Sequence, residues 1–325
     1  MQTFLSCDWG TSSFRLRLID APTQSVIAEM HTQQGISAIY DAWKTQQTIS
    51  RFLFYSNYIS AQIRELEQQA NISLHKVPLI IAGMASSAIG MKELPYKKIP
   101  FVVQPQNLLV DIIEATASFP HKTILISGVS SSTDVMRGEE TILAGCAINK
   151  SFNKQLFILP GTHSKHVLVE NEMLADIKTY MTGELFQLLS TKSILAGSVE
   201  KNNMETEAND IFIKGVRDAT ASSVLNNIFQ VRINTLFNAM GKNENYYYLS
   251  GLLIGEELKQ LMEADVEAVT IVSSGNLLRL YQAAVSALDK KITTFVADAD
   301  TALINAQTML FNHYKQILYT CNQNL

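Results

Sequence analysis

TFLSCDWGTSSFRLRLI, residues 3–19, decides the fold. Thr3–Cys7 and Phe14–Ile19 are short runs of strand-forming type, parted by the small polar loop Asp8–Ser13. They predict a hairpin, and Ser25–Met30 predicts a third strand beside it. The same order recurs in QLFILPGTHSKHVLVE, residues 155–170. There Gln155–Leu159 and Lys165–Glu170 flank the loop Pro160–Ser164, and Glu172–Tyr180 follows as a third strand. Both loops carry Gly-Thr, as Gly10-Thr11 and as Gly161-Thr162. Two matching hairpins that each open a matching series of elements predict an internal duplication.

Outward from the first hairpin, apolar spacing predicts a long helical stretch from Asp41 to about Asn71. A strand over Leu79–Ala82, a helix over Asn107–Ser118, a strand over Thr123–Ile126 and a helix over Met136–Asn149 follow. Outward from the second hairpin comes a helical block from about Gly183 to Asp265, with breaks near Gly197–Asn203 and Gly241–Asn245. Strands over Ala268–Val272 and Ile292–Val296 alternate with helices over Leu277–Leu288 and Asp300–Tyr314. The expected architecture is α/β, with helices on both faces of each sheet and a ligand cleft between two lobes. By pattern the domains are 1–150 and 151–325, the second carrying a helical insertion.

At 325 residues the chain suits two domains of ~150 each. Charged residues are 17%, below the usual ~25%, which argues against a disordered chain. A net charge of −4 offers no basic excess for a nucleic-acid backbone. Cys7, Cys146 and Cys321 lie far apart, so neither a zinc ribbon nor a disulfide framework fits. The N-terminus has no basic leader, and no segment approaches the ~20 apolar residues of a membrane span. The expectation is a cytoplasmic enzyme acting on a small molecule, with no nucleic-acid or membrane partner; homo-oligomerisation stays open. The stripe Met181, Leu185, Leu188 and Leu189 is read as core packing in preference to a dimer face.

GxxxxGK[ST] is absent, so the chain is not a Walker-type NTPase. The first loop has two readings. It is a polar hairpin turn, or it is an anion cradle in which Gly10 admits close approach while Thr11, Ser12 and Ser13 supply N–H groups and hydroxyls. Asp8, at the strand end, suits a Mg²⁺ ion. In the second loop Gly161, Thr162 and Ser164 suit another phosphate, with Lys165 adding charge and His163 a hydrogen bond; a solvated Lys165 at a strand start and a merely satisfied His163 read as well there. Arg137, Glu139 and Glu140 head an apolar helix, where Arg137 pairs with Glu140 or meets a ligand anion. Ser274, Gly275 and Asn276 make a strand-to-helix turn small enough for a flat base or ribose to approach; an ordinary helix cap reads as well there. AGMASSAIG, residues 82–90, has the same two readings.

DWGTSS, AGMASSAIG, VMRGEETILAG, LPGTHSKHV, MTGEL, LSGLLIGEE and SSGNLLRLY occur in order. Together they resemble the 2-dehydro-3-deoxygalactonokinase family of the sugar-kinase/Hsp70/actin-type superfamily. The resemblance implies two ribonuclease-H-like, actin-like ATPase domains around a nucleotide cleft. It implies ATP-dependent phosphorylation of 2-dehydro-3-deoxy-D-galactonate on its terminal hydroxyl. By superfamily analogy Asp8 and Gly10–Ser13 form the first phosphate motif, Gly161–Lys165 the second, and Ser273–Asn276 lie near the adenosine. Many superfamily members open the second loop with an aspartate. Here Leu159-Pro160 stand before it, so the metal falls to Asp8, with Glu140 or Glu184 as helpers. Asp134, Glu139 and Glu140 are all candidates for the base, with Glu139 the first choice. A kinase for another sugar or sugar acid, and a non-catalytic sensor, stay open.

Overall fold

The computed structural model describes residues 2–201, 208–288 and 290–319. Cys321 lies outside the described residues. Contacts divide the chain into two compact units. The first takes Met1–Asn149, Glu172–Ile177 and Ala299–Leu325; the second takes Lys150–Asn171 and Lys178–Asp298.

The first unit opens with the antiparallel strands Thr3–Trp9 (β1), Phe14–Asp20 (β2) and Ser25–Thr32 (β3). Helices Ile36–Gln46 (α1) and Arg51–Ala70 (α2) follow. The single helical stretch expected there is therefore two helices. Gln47 ends the first in a left-handed conformation at φ 42, and the Ser50 hydroxyl caps the second by accepting from Leu53 N–H. Leu79–Gly83 (β4) runs parallel to β1. Two short strands come next, Lys97–Lys98 (β5) and Phe101–Val102 (β6).

The helix expected over Asn107–Ser118 is instead a strand, Val110–Ile113 (β7), antiparallel to Thr123–Ile126 (β8). A short apolar run does not separate the two periods, and the β-branched Val110, Ile112 and Ile113 favour an extended edge strand. Val129–Ser130 (β9) and Val135–Met136 (β10) form a small hairpin. Gly138 then turns at φ 112, so the expected Met136–Asn149 helix shrinks to Glu139–Gly145 (α3).

In the second unit the antiparallel ribbon is Lys154–Leu159 (β11), Ser164–Glu170 (β12) and Met173–Tyr180 (β13), the last shared along its length with the first unit. The helical block resolves into Thr182–Lys192 (α4), Ala208–Ala221 (α5), Val224–Leu236 (α6) and Lys242–Leu258 (α7). Ala268–Val272 (β14), Gly275–Ala287 (α8) and Thr293–Ala297 (β15) complete it. Strand order is β3-β2-β1-β4-β8-β7 in one sheet, and β13-β12-β11-β14-β15 is the matching run in the other. The first five positions correspond one to one, so both units repeat the ribonuclease-H-like plan.

The last helix, Ala299–Tyr319 (α9), does not belong to the second unit, as the 151–325 boundary had it. Leu303, Leu310 and Phe311 join Phe4, Ile80, Ile124 and Ile126 in one cluster on the first sheet. Leu5, Cys7, Trp9, Ile81 and Leu125 point the other way, into α1 and α2 through Ile36, Tyr55, Ile59 and Leu66. Alternate residues of the same strands thus feed two cores, as the two-residue period requires. The α4 stripe corrects another expectation: Met181, Leu185 and Leu188 are exposed, and only Leu189 packs inward. Among the described residues no helix is long and apolar enough to cross a membrane.

Candidate active site

The strand period fixes the first cluster of polar groups. β1 runs through Trp9, so Asp8 is a strand residue and not part of the loop. It shares the face of Phe4, which α3 and α9 cover. Asp8 faces Arg15 on β2 in register, and Arg17 lies on the same face two residues along. Arg15 Nη1 is 2.7 Å and Arg17 Nη2 2.9 Å from Asp300 Oδ1, in the first turn of α9. Arg17 Nε also donates to Glu29 at 2.5 Å. Burial pushes the Asp8 carboxyl above the usual range; Arg15 and Arg17 pull it back, while Asp300 and Glu139 push it further up. Asp8 and Glu139 are therefore within electrostatic reach of each other.

The first loop is pinned from behind. Gly10 O accepts from Ile36 N at 3.0 Å and Thr11 O from Ser37 N at 3.2 Å, at the start of α1. Gly10 N–H closes on Ser13 O at 2.9 Å. With these carbonyls turned to α1, the N–H groups of Thr11 and Ser12 and the hydroxyls of Thr11, Ser12 and Ser13 find no hydrogen-bond partner among the described residues. That is the donor set of an anion cradle.

Two glycines bring α3 to the same place. Gly83 ends β4 at φ 94, and a Cβ there would sit 2.6 Å from Trp9 O. A Cβ on Gly138 would sit 3.2 Å from Gly83 Cα. The α3 N-terminus thus stacks over the carboxyl ends of the parallel β1 and β4, where α/β sheets bind ligands.

Here the candidate side chains of the α3 turn separate by role. Glu139 is half-buried, and its Oε2 accepts from Arg137 N–H at 3.0 Å. Glu140 is 1% exposed, accepting from Gly138 N–H at 2.7 Å and the Thr141 hydroxyl at 3.0 Å. Burial, then the Glu139 charge, pushes its carboxyl up to about 8. Both of its oxygens are engaged inside the α3 turn and its side chain is buried, whereas Asp8 is only half-buried. Arg137 does not pair with Glu140. Its Nη1 donates to Ser86 O at 2.8 Å and to Ser86 Oγ at 2.5 Å, and its guanidinium lies 4.2 Å over the Tyr96 ring. Its guanidinium has no carboxylate partner among the described residues, donating instead to Ser86 and Leu94 O, and its Nε has no acceptor there. Ser86 is buried and donates to Ile126 O at 2.7 Å, so AGMASSAIG is a packed turn that braces Arg137. Asp134 sits apart from α3 in the β9–β10 turn, accepting from its neighbour Val135 N–H at 2.7 Å.

In the second unit the loop between β11 and β12 is tighter. Gly161 N–H donates to Ser164 Oγ at 3.3 Å, and Ser164 is fully buried, so its hydroxyl is not presented to a ligand. Glu184 N–H holds Thr162 O at 3.0 Å, and Glu184 Oε2 takes His163 Nε2 at 2.5 Å. Lys165 is 5% exposed and reaches His163 O at 3.0 Å, so its ammonium lies under the loop. Ser274 is extended before α8, and Gly275 follows at φ 57. Asn276 borders a cavity of about 290 Å³ that Gly161, Gly183, Phe186, Leu277 and Tyr281 also line.

Sequence reasoning missed Arg15, Arg17, Asp300, Glu257 and Tyr281. The strand alternation carries the signal for the two arginines. Glu257 stands out only as an acid inside the apolar LSGLLIGEE, where it is 2% exposed. Among the described residues no three His, Cys, Asp or Glu side chains cluster as a metal cage.

The model of the family described as 2-keto-3-deoxy-galactonokinase matches residues 8–308. A Rhizobium meliloti (strain 1021) protein named probable 2-dehydro-3-deoxygalactonokinase DgoK1 is 29% identical over 311 residues, 92% of this chain and 94% of that one. The 2-dehydro-3-deoxygalactonokinase of Escherichia coli (strain K12) is 32% identical over 231 residues, 69% of this chain and 75% of that one. The crystal structure of a candidate 2-dehydro-3-deoxygalactonokinase from Sinorhizobium meliloti aligns with a TM-score of 0.77 at 28% identity, covering 99% of both chains.

Proposed function

We propose that this chain, which belongs to the 2-keto-3-deoxy-galactonokinase family, transfers the γ-phosphoryl group of ATP to the terminal hydroxyl of 2-dehydro-3-deoxy-D-galactonate. The observation that carries the reading is the extent of the family match, from Asp8 to Thr308, which takes in both loops and the turns before α3 and α8.

Phosphoryl transfer asks for positioning, charge neutralisation and a proton acceptor. Glu139 is the acceptor. Its Oε2 is anchored by Arg137 N–H, which fixes its direction at the start of α3. The substrate hydroxyl oxygen bonds to Pγ, the bond from Pγ to the ADP oxygen breaks, and the hydroxyl proton passes to Glu139. Arg137, a braced cation with no carboxylate of its own, receives the sugar-acid carboxylate. Thr11, Ser12 and Ser13 take one phosphate with their open donors. Gly161 and Thr162, with His163 and Lys165, take another. Ser274, Gly275 and Asn276 border the nucleoside, and the adjoining cavity of about 290 Å³ suits adenine and ribose.

Mg²⁺ binds through one or two carboxylates, water and substrate phosphates, so a three-carboxylate cage is not required. Asp8, half-buried beside the open donors of the first loop, fits that single-carboxylate role. The ion, when bound, neutralises charge on the phosphates.

The test is coupled ADP release from Mg²⁺·ATP with 2-dehydro-3-deoxy-D-galactonate, run beside its C4 epimer 2-dehydro-3-deoxy-D-gluconate. Turnover with the galactonate form is expected. Turnover with the epimer alone moves the substrate to another sugar acid. ATP binding with turnover on neither overturns the reading and favours a sensor.

A further inference from the structure

Four of the sequence motifs meet at one buried side chain that the mechanism above does not use. Glu257, on α7, is 2% exposed. His166 Nε2 lies 3.0 Å from its Oε1. Tyr281 Oη donates to its Oε2 at 2.7 Å, and the Thr182 hydroxyl donates to the same oxygen. His166 comes from GTHSKH, Thr182 from MTGEL, Tyr281 from SSGNLLRLY and Glu257 itself from LSGLLIGEE.

Proton bookkeeping gives this cluster a direction. A carboxylate only accepts, and a tyrosine has a single phenolic proton. Tyr281 gives that proton to Glu257, so Ser164 is the donor in its 2.9 Å contact with Tyr281. The Ser164 oxygen is left to accept, and it accepts Gly161 N–H at 3.3 Å. The chain therefore runs Gly161 N–H to Ser164 Oγ to Tyr281 Oη to Glu257, with each link pointing at the carboxylate. Hydrogen bonds aligned in this way polarise one another in a low-dielectric interior. A second arm leaves through Thr182. The next residue, Gly183, packs so closely that a Cβ on it would sit 2.5 Å from Gly161 O, and Glu184 N–H holds Thr162 O. Both walls of the second loop thus end on a single buried carboxylate.

A buried charge is costly, and a packed apolar residue in its place is often the more stable choice. Stability alone does not account for Glu257. We infer that Glu257 is a positioning residue that sets the second loop and the floor of the α8-side cavity as one rigid piece for nucleotide binding. This rests on the reading of that loop as a nucleotide-phosphate loop.

Ser164 is the discriminating position, because it is fully buried and is not among the cavity-lining residues. Nucleotide affinity of the full chain is measured by calorimetry with Mg²⁺·ADP and no sugar acid, below the melting temperature of every variant. Ser164→Ala and Tyr281→Phe are each expected to weaken affinity about tenfold, the scale of losing a link to a charged group. The double variant should weaken it no more than either single one, since both cut the same chain. Thr182→Val should also weaken binding, and Thr182→Ser, which keeps the hydroxyl, should restore it. Lowered melting temperatures with unchanged affinity would make the network structural only and overturn the inference. So would multiplicative losses in the double variant, which mean separate direct contacts, and so would a Thr182→Ser variant as weak as Thr182→Val. A wild-type chain that binds no nucleotide brings down the loop reading and the inference together. A chain that binds nucleotide but ignores the sugar acid brings down only the proposed substrate.

Discussion

Arg17 Nη2 lies 2.9 Å from Asp300 Oδ1, so the second strand of the chain is fastened to the first turn of its last helix. Arg17 is 3% exposed and Asp300 46%, so nearly all the desolvation falls on the arginine. Its other partner is Glu29, and its Nη1 has none among the described residues. Asp300→Asn should therefore destabilise the chain by about 1–2 kcal/mol, between the values for exposed and buried pairs. Thermal denaturation reads it. The same substitution acts on Asp8. It removes an anion that pushes the Asp8 carboxyl up, and it releases Arg15 and Arg17, which pull it down. Both changes lower the Asp8 pKa. The acid limb of kcat/KM for Mg²⁺·ATP should then move to lower pH. A limb that stays in place would detach Asp300 from Asp8.

Glu140 gives a pH signature of stability. Its folded pKa is about 8 against an ordinary value of 4.5, with burial the main cause. A raised folded pKa means that the unfolded chain gives up this proton first. The stabilisation is fully present below the ordinary value and is lost as pH rises through about 8. Glu140→Gln keeps the shape and carries no titrating proton. Its melting temperature should match that of wild type below the ordinary value of 4.5 and draw ahead of it as pH rises toward about 8. A difference between the two proteins that does not change with pH would reject this account.

The hairpin pattern is enough to read the duplicated α/β plan, because strand alternation and the recurring Gly-Thr turn are local. It is not enough to assign the last helix. Leu303, Leu310 and Phe311 carry an apolar face that suits either sheet, and only tertiary packing chooses. The Asn107–Ser118 error is of another kind, a short apolar run whose spacing fits a helix until β8 pairs with it. Within the candidate site, Asp8, Glu139 and the two loops stand out in the sequence because small residues and acids at element ends are unusual in a chain with few charges. Arg137 and Glu140 are legible as a pair, and the structure separates them: Arg137 turns to Ser86 and Tyr96, while Glu140 turns to its own helix start. Nothing local distinguishes Glu257 from its neighbour Glu256, which is half-buried on the same helix.

Gly161 in the second loop and Gly183 in α4, which packs against that loop, should respond in opposite ways. A Cβ on Gly183 would sit 2.5 Å from Gly161 O and 2.8 Å from Thr162 Cα, both backbone, so the loop itself must shift. Gly183→Ala should cost about 1–3 kcal/mol of stability as well as nucleotide affinity. Gly161 has open space where its Cβ would go. Gly161→Ala should therefore keep the wild-type melting temperature and lose nucleotide affinity only if a phosphate comes to that side of the loop. Unchanged binding in Gly161→Ala would place the phosphate elsewhere.

Glu139 and Arg137 separate the two halves of the proposed chemistry. Glu139→Gln keeps the contact with Arg137 N–H and removes the proton acceptor. It should lower kcat about a hundredfold or more with little change in either KM, the range for a lost general base. Arg137→Lys keeps a charge and gives up the planar fork that meets Ser86 and stacks on Tyr96. Its main effect should be a KM for the sugar acid raised about tenfold or more, the scale of a lost charge-assisted contact, with KM for ATP near wild type. The two variants together make the assignment testable against its reverse. If Glu139→Gln raises KM and Arg137→Lys lowers kcat alone, the carboxylate is binding substrate hydroxyls and the guanidinium is meeting charge that develops only during transfer. Steady-state kinetics on both substrates, with wild type in parallel, distinguishes these patterns directly.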